Sequence, residues 1–140
     1  MLVSTKGRYA LRVMIDLAEH NDGSFIPLKD IATRQEISEK YSESIIAALS
    51  KAGLVVGMRG KGGGYKLTKP PQDYTVGSIL TLADGSLAPI ACLEDSENQC
   101  QRSNCCKTLP MWARLDEKID HFFQSISLVD LVEGTLPQDL

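Results

Sequence analysis

The stretch LVVGMRGKGGGYKLT, residues 54–68, constrains the fold of this chain more than any other. Its apolar, β-branched ends flank a glycine-rich middle, which reads as a two-stranded hairpin with a flexible tip, and Pro70 and Pro71 close it. The sequence before it is helical. STKGRYALRVMIDLAEH sets Tyr9, Val13, Met14, Leu17 and Ala18 at helical spacing, with Ser4 or Thr5 as the cap and Asn21-Asp22-Gly23 as the stop. In IPLKDIATRQEIS, Pro27 suits a helix start, and Leu28, Ile31 and Ala32 form a short apolar face. A turn around residues 35–37 leads into SEKYSESIIAALSKAG. There Ser38 can cap a third helix, Tyr41, Ile45, Ala48 and Leu49 face inward, and Gly53 is the stop. Two short helices around a tight turn, followed by a glycine-tipped hairpin, make a winged helix-turn-helix.

That arrangement carries a chemistry. The second helix of such a pair fits the major groove of double-stranded DNA, and its N-terminal side chains reach base edges. Residues 38–44 offer Ser38, Glu39, Lys40, Ser42, Glu43 and Ser44 as outward polar groups. Glu43 can accept from a cytosine amino group, while Lys40 and the serines can hold phosphate or bases. At the hairpin tip, Arg59 can enter a minor groove, and Lys61 and the glycine amides can approach phosphate. The DNA-binding set expected from the pattern is Ser38, Lys40, Tyr41, Glu43, Ser44, Arg59 and Lys61, with Tyr41 also counted on the inward face. Two plainer readings stand beside it. Helix-turn-helix geometry also occurs in proteins that bind no DNA, and Glu43 alone could be a solvated helix residue. A nucleotide-binding loop fails on spacing. Gly62 follows Gly60-Lys61 where Ser or Thr is required, and Tyr65 replaces the last glycine of G-x-G-x-x-G.

Charge divides the chain in the same place. Residues 1–70 carry 11 Lys+Arg against 7 Asp+Glu, or +4, and residues 71–140 carry 4 against 11, or −7, which together give the net −3. The basic half permits an anionic partner. We therefore expect a DNA-binding unit over residues 1–70. Residues 71–140 would hold a polar loop (about 85–107) and a dimerisation helix. In that second half Thr75 starts a short helix, TVGSILTLADG. A longer helix starts near Thr108 with Pro110 in its first turn. Its Trp112, Leu115, Ile119 and Phe122 recur at steps of three, four and three, a heptad seam that needs a partner helix. Ser127 can cap a final turn. The expected fold class is mainly α with a small β-hairpin wing. No apolar run approaches a membrane span, and the opening MLVSTKGRYALRV lacks an export-signal pattern, so a cytoplasmic location without membrane partners is expected.

All four cysteines fall within CLEDSENQCQRSNCC, residues 92–106. Disulfides are uncommon in the cytoplasm, so clustered thiols point to metal or redox chemistry. Thiolates are soft ligands for zinc, copper(I) and iron–sulfur clusters. Seven residues separate Cys92 from Cys100 and five separate Cys100 from Cys106, wider than the two to four that structural zinc pairs use. Cys105 and Cys106 are adjacent and diverge, so they compete for one place beside Cys92 and Cys100. Three ligands result where a cluster typically uses four. Free thiols without a role, or a metal-free thiol–disulfide switch, are the alternatives. His20 and His121 lie on expected helices away from the loop and read as ordinary helix residues.

With these stretches together, the chain resembles the bacterial winged-helix regulators of the IscR/NsrR/CymR family, closest to the cluster-binding, IscR-like branch. The resemblance rests on STKGRYALRVMIDLA, LKDIATRQEIS, YSESI, LSKAGLV, RGKGGGYKL, TVGSIL, the three spaced cysteines before MW, and SISLVDLV. It implies a homodimeric transcription regulator whose C-terminal helices pair and whose two winged helices read a palindromic operator. Glu43 and Arg59 match the family's DNA-contacting positions. Ser44 stands where the cluster-regulator branch often has glutamine. Cys92, Cys100 and Cys106 match the three cluster ligands, because Cys106 keeps the family's distance to Trp112.

Two departures concern the fourth ligand. Leu109 stands where the cluster regulator has a histidine, and Arg8 where the nitric-oxide sensor has an aspartate. Cys105, Glu94, Asp95, Glu97, Asp16 across the dimer, water or a small thiol are the candidates, and both [2Fe–2S] and [4Fe–4S] clusters stay open. The resemblance implies operator binding controlled by a cluster that senses cluster supply, oxidants or nitric oxide. The alternative within the same fold is a metal-free thiol-switch or partner-controlled repressor. No nucleophile–base–orienter set is legible, so neither an enzyme nor a small-molecule substrate is expected.

Overall fold

The computed structural model describes residues 3–140; Met1 and Leu2, which open the N-terminal stretch and the 1–70 unit read above, lie outside the described residues. Six helices and one antiparallel hairpin follow each other as α1 (Thr5–Glu19), α2 (Leu28–Gln35), α3 (Glu39–Lys51), β1 (Val55–Met58), β2 (Gly64–Leu67), α4 (Val76–Asp84), α5 (Leu109–Gln124) and α6 (Leu128–Glu133). Short 3₁₀ turns occupy Pro71–Asp73 and Ala91–Leu93.

Local chemistry starts the helices where the sequence indicates. Ser4 accepts from the Gly7 amide, Ser38 from Tyr41, Thr75 from Ser78, and Ser127 from Asp130, whose carboxylate accepts in return from the Ser127 amide. Pro27 stands directly before α2. The turn from α2 to α3 passes through Glu36 at φ 54°, a left-handed conformation held by a non-glycine residue. Gly53, at φ +78°, ends α3 and starts the wing.

β1 pairs with β2 from Val55 opposite Leu67 to Met58 opposite Gly64. The wing has one further partner that the sequence does not signal. Ile26 and Tyr65 exchange both backbone hydrogen bonds at 2.8 Å, which docks β2 beside the start of α2.

The main core joins Val13, Met14 and Leu17 of α1 to Ile31, to Ile45, Ile46 and Leu49 of α3, and to Val55 and Leu67 of the wing. Tyr74, Ile79 and Leu128 belong to the same cluster, so the second half of the chain packs directly on the helix-turn-helix. α5 differs from every other helix longer than two turns, because none of its residues is buried. Leu115 and Phe122 of its heptad seam are 39% and 40% exposed, and the neighbouring Met111 is 54% exposed.

Candidate functional site

α3 and the wing enclose a groove of about 510 Å³. Glu39 and Glu43 line it from α3, Met58 and Arg59 from the wing, and Leu28 and Lys29 from the start of α2. Glu43 and Arg59, sixteen positions apart in sequence, thus meet across one cleft. Ser38, Lys40, Ser44 and Lys61 are exposed outside its lining. Lys29 joins the groove without having been singled out. Its signal was a cation directly after the Pro27-Leu28 helix start.

One α3 residue keeps to its expected inward face, and another departs from expectation. Tyr41 is half-buried, edge-on to Tyr9 with ring centroids 5.7 Å apart, and Arg12 lies 5.0 Å over the Tyr9 ring. Ser42, expected among the outward groups, is fully buried. The cause is the stripe 42-45-46-49, whose other members are Ile45, Ile46 and Leu49. That stripe turns Ser42 into the core and leaves Ala48 at its edge.

An ionic clamp on the buried Asp16 ties α1 to α2. The Asp16 carboxylate is 1% exposed and accepts from Arg34 Nε at 3.0 Å, from a terminal Arg34 nitrogen at 2.8 Å and from Gln35 Nε2 at 2.9 Å. The carboxylate holds the Arg34 guanidinium more firmly in its charged form. Arg12 donates to the Gln35 backbone carbonyl and, at 3.3 Å, to its side-chain oxygen. Asp16 is committed to these partners, which removes it from the candidate metal ligands. Arg8 is exposed on α1, 3.4 Å from the Thr5 hydroxyl, and Leu109 is half-buried at the start of α5.

All four cysteines are free thiols. Cys92 is half-buried in the 3₁₀ turn Ala91–Leu93, Cys100 and Cys105 are exposed, and Cys106 is half-buried. A cavity of about 450 Å³ is lined by Cys100, Cys105 and Cys106 together with Arg102, Lys107 and Thr108. Cys92 is not among its lining residues. The Thr108 hydroxyl, 3.3 Å from Cys106 Sγ, lowers the pKa of that thiol, and the Thr108 amide and Arg102 act in the same direction.

The donor set fits a thiophilic metal or cluster in kind: three soft sulfurs on a polar loop. Among the described residues, the backbone between Cys92 and Cys106 is held by local turn bonds, such as Glu94 to Ala91 and Cys105 to Arg102. The sulfurs are not yet gathered in this conformation. Among the described residues no group of three or more His, Cys, Asp or Glu side chains converges closely enough to hold an ion. Cys92 must move toward Cys100 and Cys106 for the three to share one. Glu94, Asp95 and Glu97 are exposed on the same loop.

Residues 3–134 match the profile of the Rrf2 family, described as iron-dependent transcriptional regulators. Over 134 residues the chain is 40% identical to the HTH-type transcriptional regulator IscR of Yersinia pseudotuberculosis, an alignment covering 96% of this chain and 80% of the relative. Two solved structures are similar throughout. CymR (YrzC), the global cysteine regulator of B. subtilis, superposes with a TM-score of 0.77 at 35% identity, covering 97% of this chain and 99% of that one. The IscR of T. potens superposes with a TM-score of 0.75 at 37% identity, covering 99% and 93%. Among the described residues no helix is long and apolar enough to cross a membrane.

Proposed function

The chain belongs to the Rrf2 family of iron-dependent transcriptional regulators, and from that membership we propose a homodimer whose operator affinity is controlled by an iron–sulfur cluster held by Cys92, Cys100 and Cys106. One observation carries the DNA-binding part: Glu43 of α3 and Arg59 of the wing line a single groove. A duplex that accepts α3 in its major groove meets the wing on its flank. Glu43 then accepts from a cytosine amino group, Arg59 enters the neighbouring minor groove, and Lys61 and the tip amides contact phosphate. Ser38, Lys40, Tyr41 and Ser44 complete the face, Tyr41 by supporting the first turn of α3 from below.

Residues 1–70 do the reading, and residues 71–140 supply the loop and the dimer helix. α5 carries an apolar seam with no buried residue, which two copies pairing along it would cover. The palindromic operator follows from that twofold symmetry. Such a regulator works beside the chromosome in the cytoplasm, where thiols stay reduced. Binding, without turnover of a substrate, is its whole activity.

A bound iron–sulfur cluster supplies reactivity toward oxidants and nitric oxide and cross-links its ligand residues. The chain's own part is to order residues 92–106 by drawing Cys92 to Cys100 and Cys106. That ordering bears on the start of α5, and hence on the spacing of two α3 helices in a dimer. A coupling of about 1–3 kcal/mol changes operator affinity about 5–150-fold. Leu109 and Arg8 leave the fourth coordination place to Cys105, to a loop carboxylate or to a small exogenous ligand, and nuclearity follows from which of them binds.

Anaerobic reconstitution tests this reading. The expected protein is coloured, contains iron, and loses its cluster-dependent change in operator binding in Cys92→Ala. A colourless protein whose DNA binding ignores that substitution refutes it. The cavity shared by Cys100, Cys105 and Cys106 favours a second reading, a metal-free thiol switch. Operator binding that responds to diamide in the metal-free Cys92→Ala protein supports it.

A further inference from the structure

Tyr74 lies just beyond the wing in sequence and is 1% exposed. Its hydroxyl sits at the open mouth of the hairpin. The hydroxyl donates to the Leu54 carbonyl at 2.7 Å, one residue before β1. It accepts from the amides of Thr68 at 3.0 Å and Lys69 at 3.1 Å, the two residues directly after β2. One proton and two lone pairs are thereby used, and both strands of the wing are clasped at their base. The Thr68 hydroxyl reinforces the mouth by donating to the Gly53 carbonyl at 2.8 Å.

The backbone of the same residue is tied to the other half of the molecule. The Tyr74 carbonyl accepts from Leu128 at 2.9 Å, and Val76 donates to Ile126 at 2.9 Å. Ile126 lies in the link between α5 and α6, and Leu128 is the first residue of α6. Arg59, at the wing tip, stands five residues along the chain from Leu54 of the clasp, or about 17 Å at the usual rise per residue. A small rotation at the mouth becomes a displacement of Arg59 larger than a hydrogen bond tolerates.

We propose that Tyr74 is a positioning residue for DNA recognition. It sets the angle of the wing from the α5–α6 link and so holds Arg59 on the minor groove. The inference rests on the proposed role of Arg59, and its test separates the two. The probe is a duplex selected by the wild-type protein from a randomised pool, with affinity measured for wild type, Arg59→Ala, Tyr74→Phe and the double variant. Arg59→Ala is expected to weaken binding about 10-fold or more, the loss of one good groove contact. Tyr74→Phe keeps the buried ring and removes only the clasp. It is expected to weaken binding about 5-fold alone, yet add nothing in the Arg59→Ala background, because the wing then has no contact left to misplace. Glu43→Ala and Tyr74→Phe are expected to multiply.

Wild-type affinity in Tyr74→Phe, or a double variant that loses the full product of the two effects, overturns the Tyr74 role while leaving Arg59 as a DNA contact. Unchanged binding in Arg59→Ala refutes the wing reading itself and takes this role with it. Should Tyr74→Phe not fold, Thr68→Val loosens the same mouth with the tyrosine intact. It must show the same loss of effect beside Arg59→Ala for the proposal to survive.

Discussion

Ser42 Oγ is a buried side-chain hydroxyl with no hydrogen-bond partner among the described residues. A buried unmet hydroxyl costs stability, so Ser42→Ala should stabilise the fold by about 1 kcal/mol, read as a rise in the thermal midpoint. Asp16 is the opposite case, a buried charge with every strong donor in place. Arg34→Ala leaves its carboxylate in the interior with Gln35 as its one remaining strong donor and should cost about 3 kcal/mol in urea unfolding. The sequence held part of this. Positions 42, 45, 46 and 49 follow helical spacing, but a serine among isoleucines and a leucine reads as a polar interruption until packing shows which face is covered. The Asp16 clamp was less legible, since a charge on an amphipathic helix reads as solvated unless its partner, eighteen residues away, is known.

At the scale of elements, what a few neighbouring residues decide was readable and what distant ones decide was not. The caps at Ser38, Thr75 and Ser127 depend on one side chain and an amide three residues on, so the sequence contains the whole interaction. The hairpin was readable from its glycines, but its docking on Ile26 was not, because that bridge spans thirty-nine residues. This contact separates the wing glycines. A Cβ on Gly64, which sits at φ +149°, would run into the Ile26 backbone, whereas Gly60, at φ +91°, faces open space. Gly64→Ala should therefore cost about 3 kcal/mol and weaken DNA binding with it, while Gly60→Ala should cost about 1 kcal/mol. Equal thermal midpoints for the two variants would contradict the docking. The cysteine loop was legible as a set of donors, while its metal-free shape, with Cys92 apart from the other three, follows from turns that no periodicity encodes.

The whole molecule joins a basic half, proposed to read DNA, to an acidic half whose longest helix packs on α4 yet buries none of its residues. The heptad seam was visible because an apolar stripe has the same period whether or not its partner is present. The packing of α4 and α6 on α1 was not visible, and it makes the two halves one core. In the proposed dimer, that shared core would let pairing through α5 fix the distance between the two recognition helices. Leu115→Arg sets a charge in the seam, and the expected product is a monomer by sedimentation. The monomer loses the gain in effective concentration that the second half-site provides, so binding to a full palindrome should fall at least about 100-fold. Binding to a single half-site should not change, because α3 and the wing are remote from the substitution. Salt dependence then counts the subunits. Each phosphate neutralised by a lysine contributes about 0.9 to the slope of log affinity against log salt. Lys61→Gln should lower that slope by about 2 in the dimer and by about 1 in the Leu115→Arg monomer. An equal change in both proteins would mean that only one wing of the dimer touches DNA.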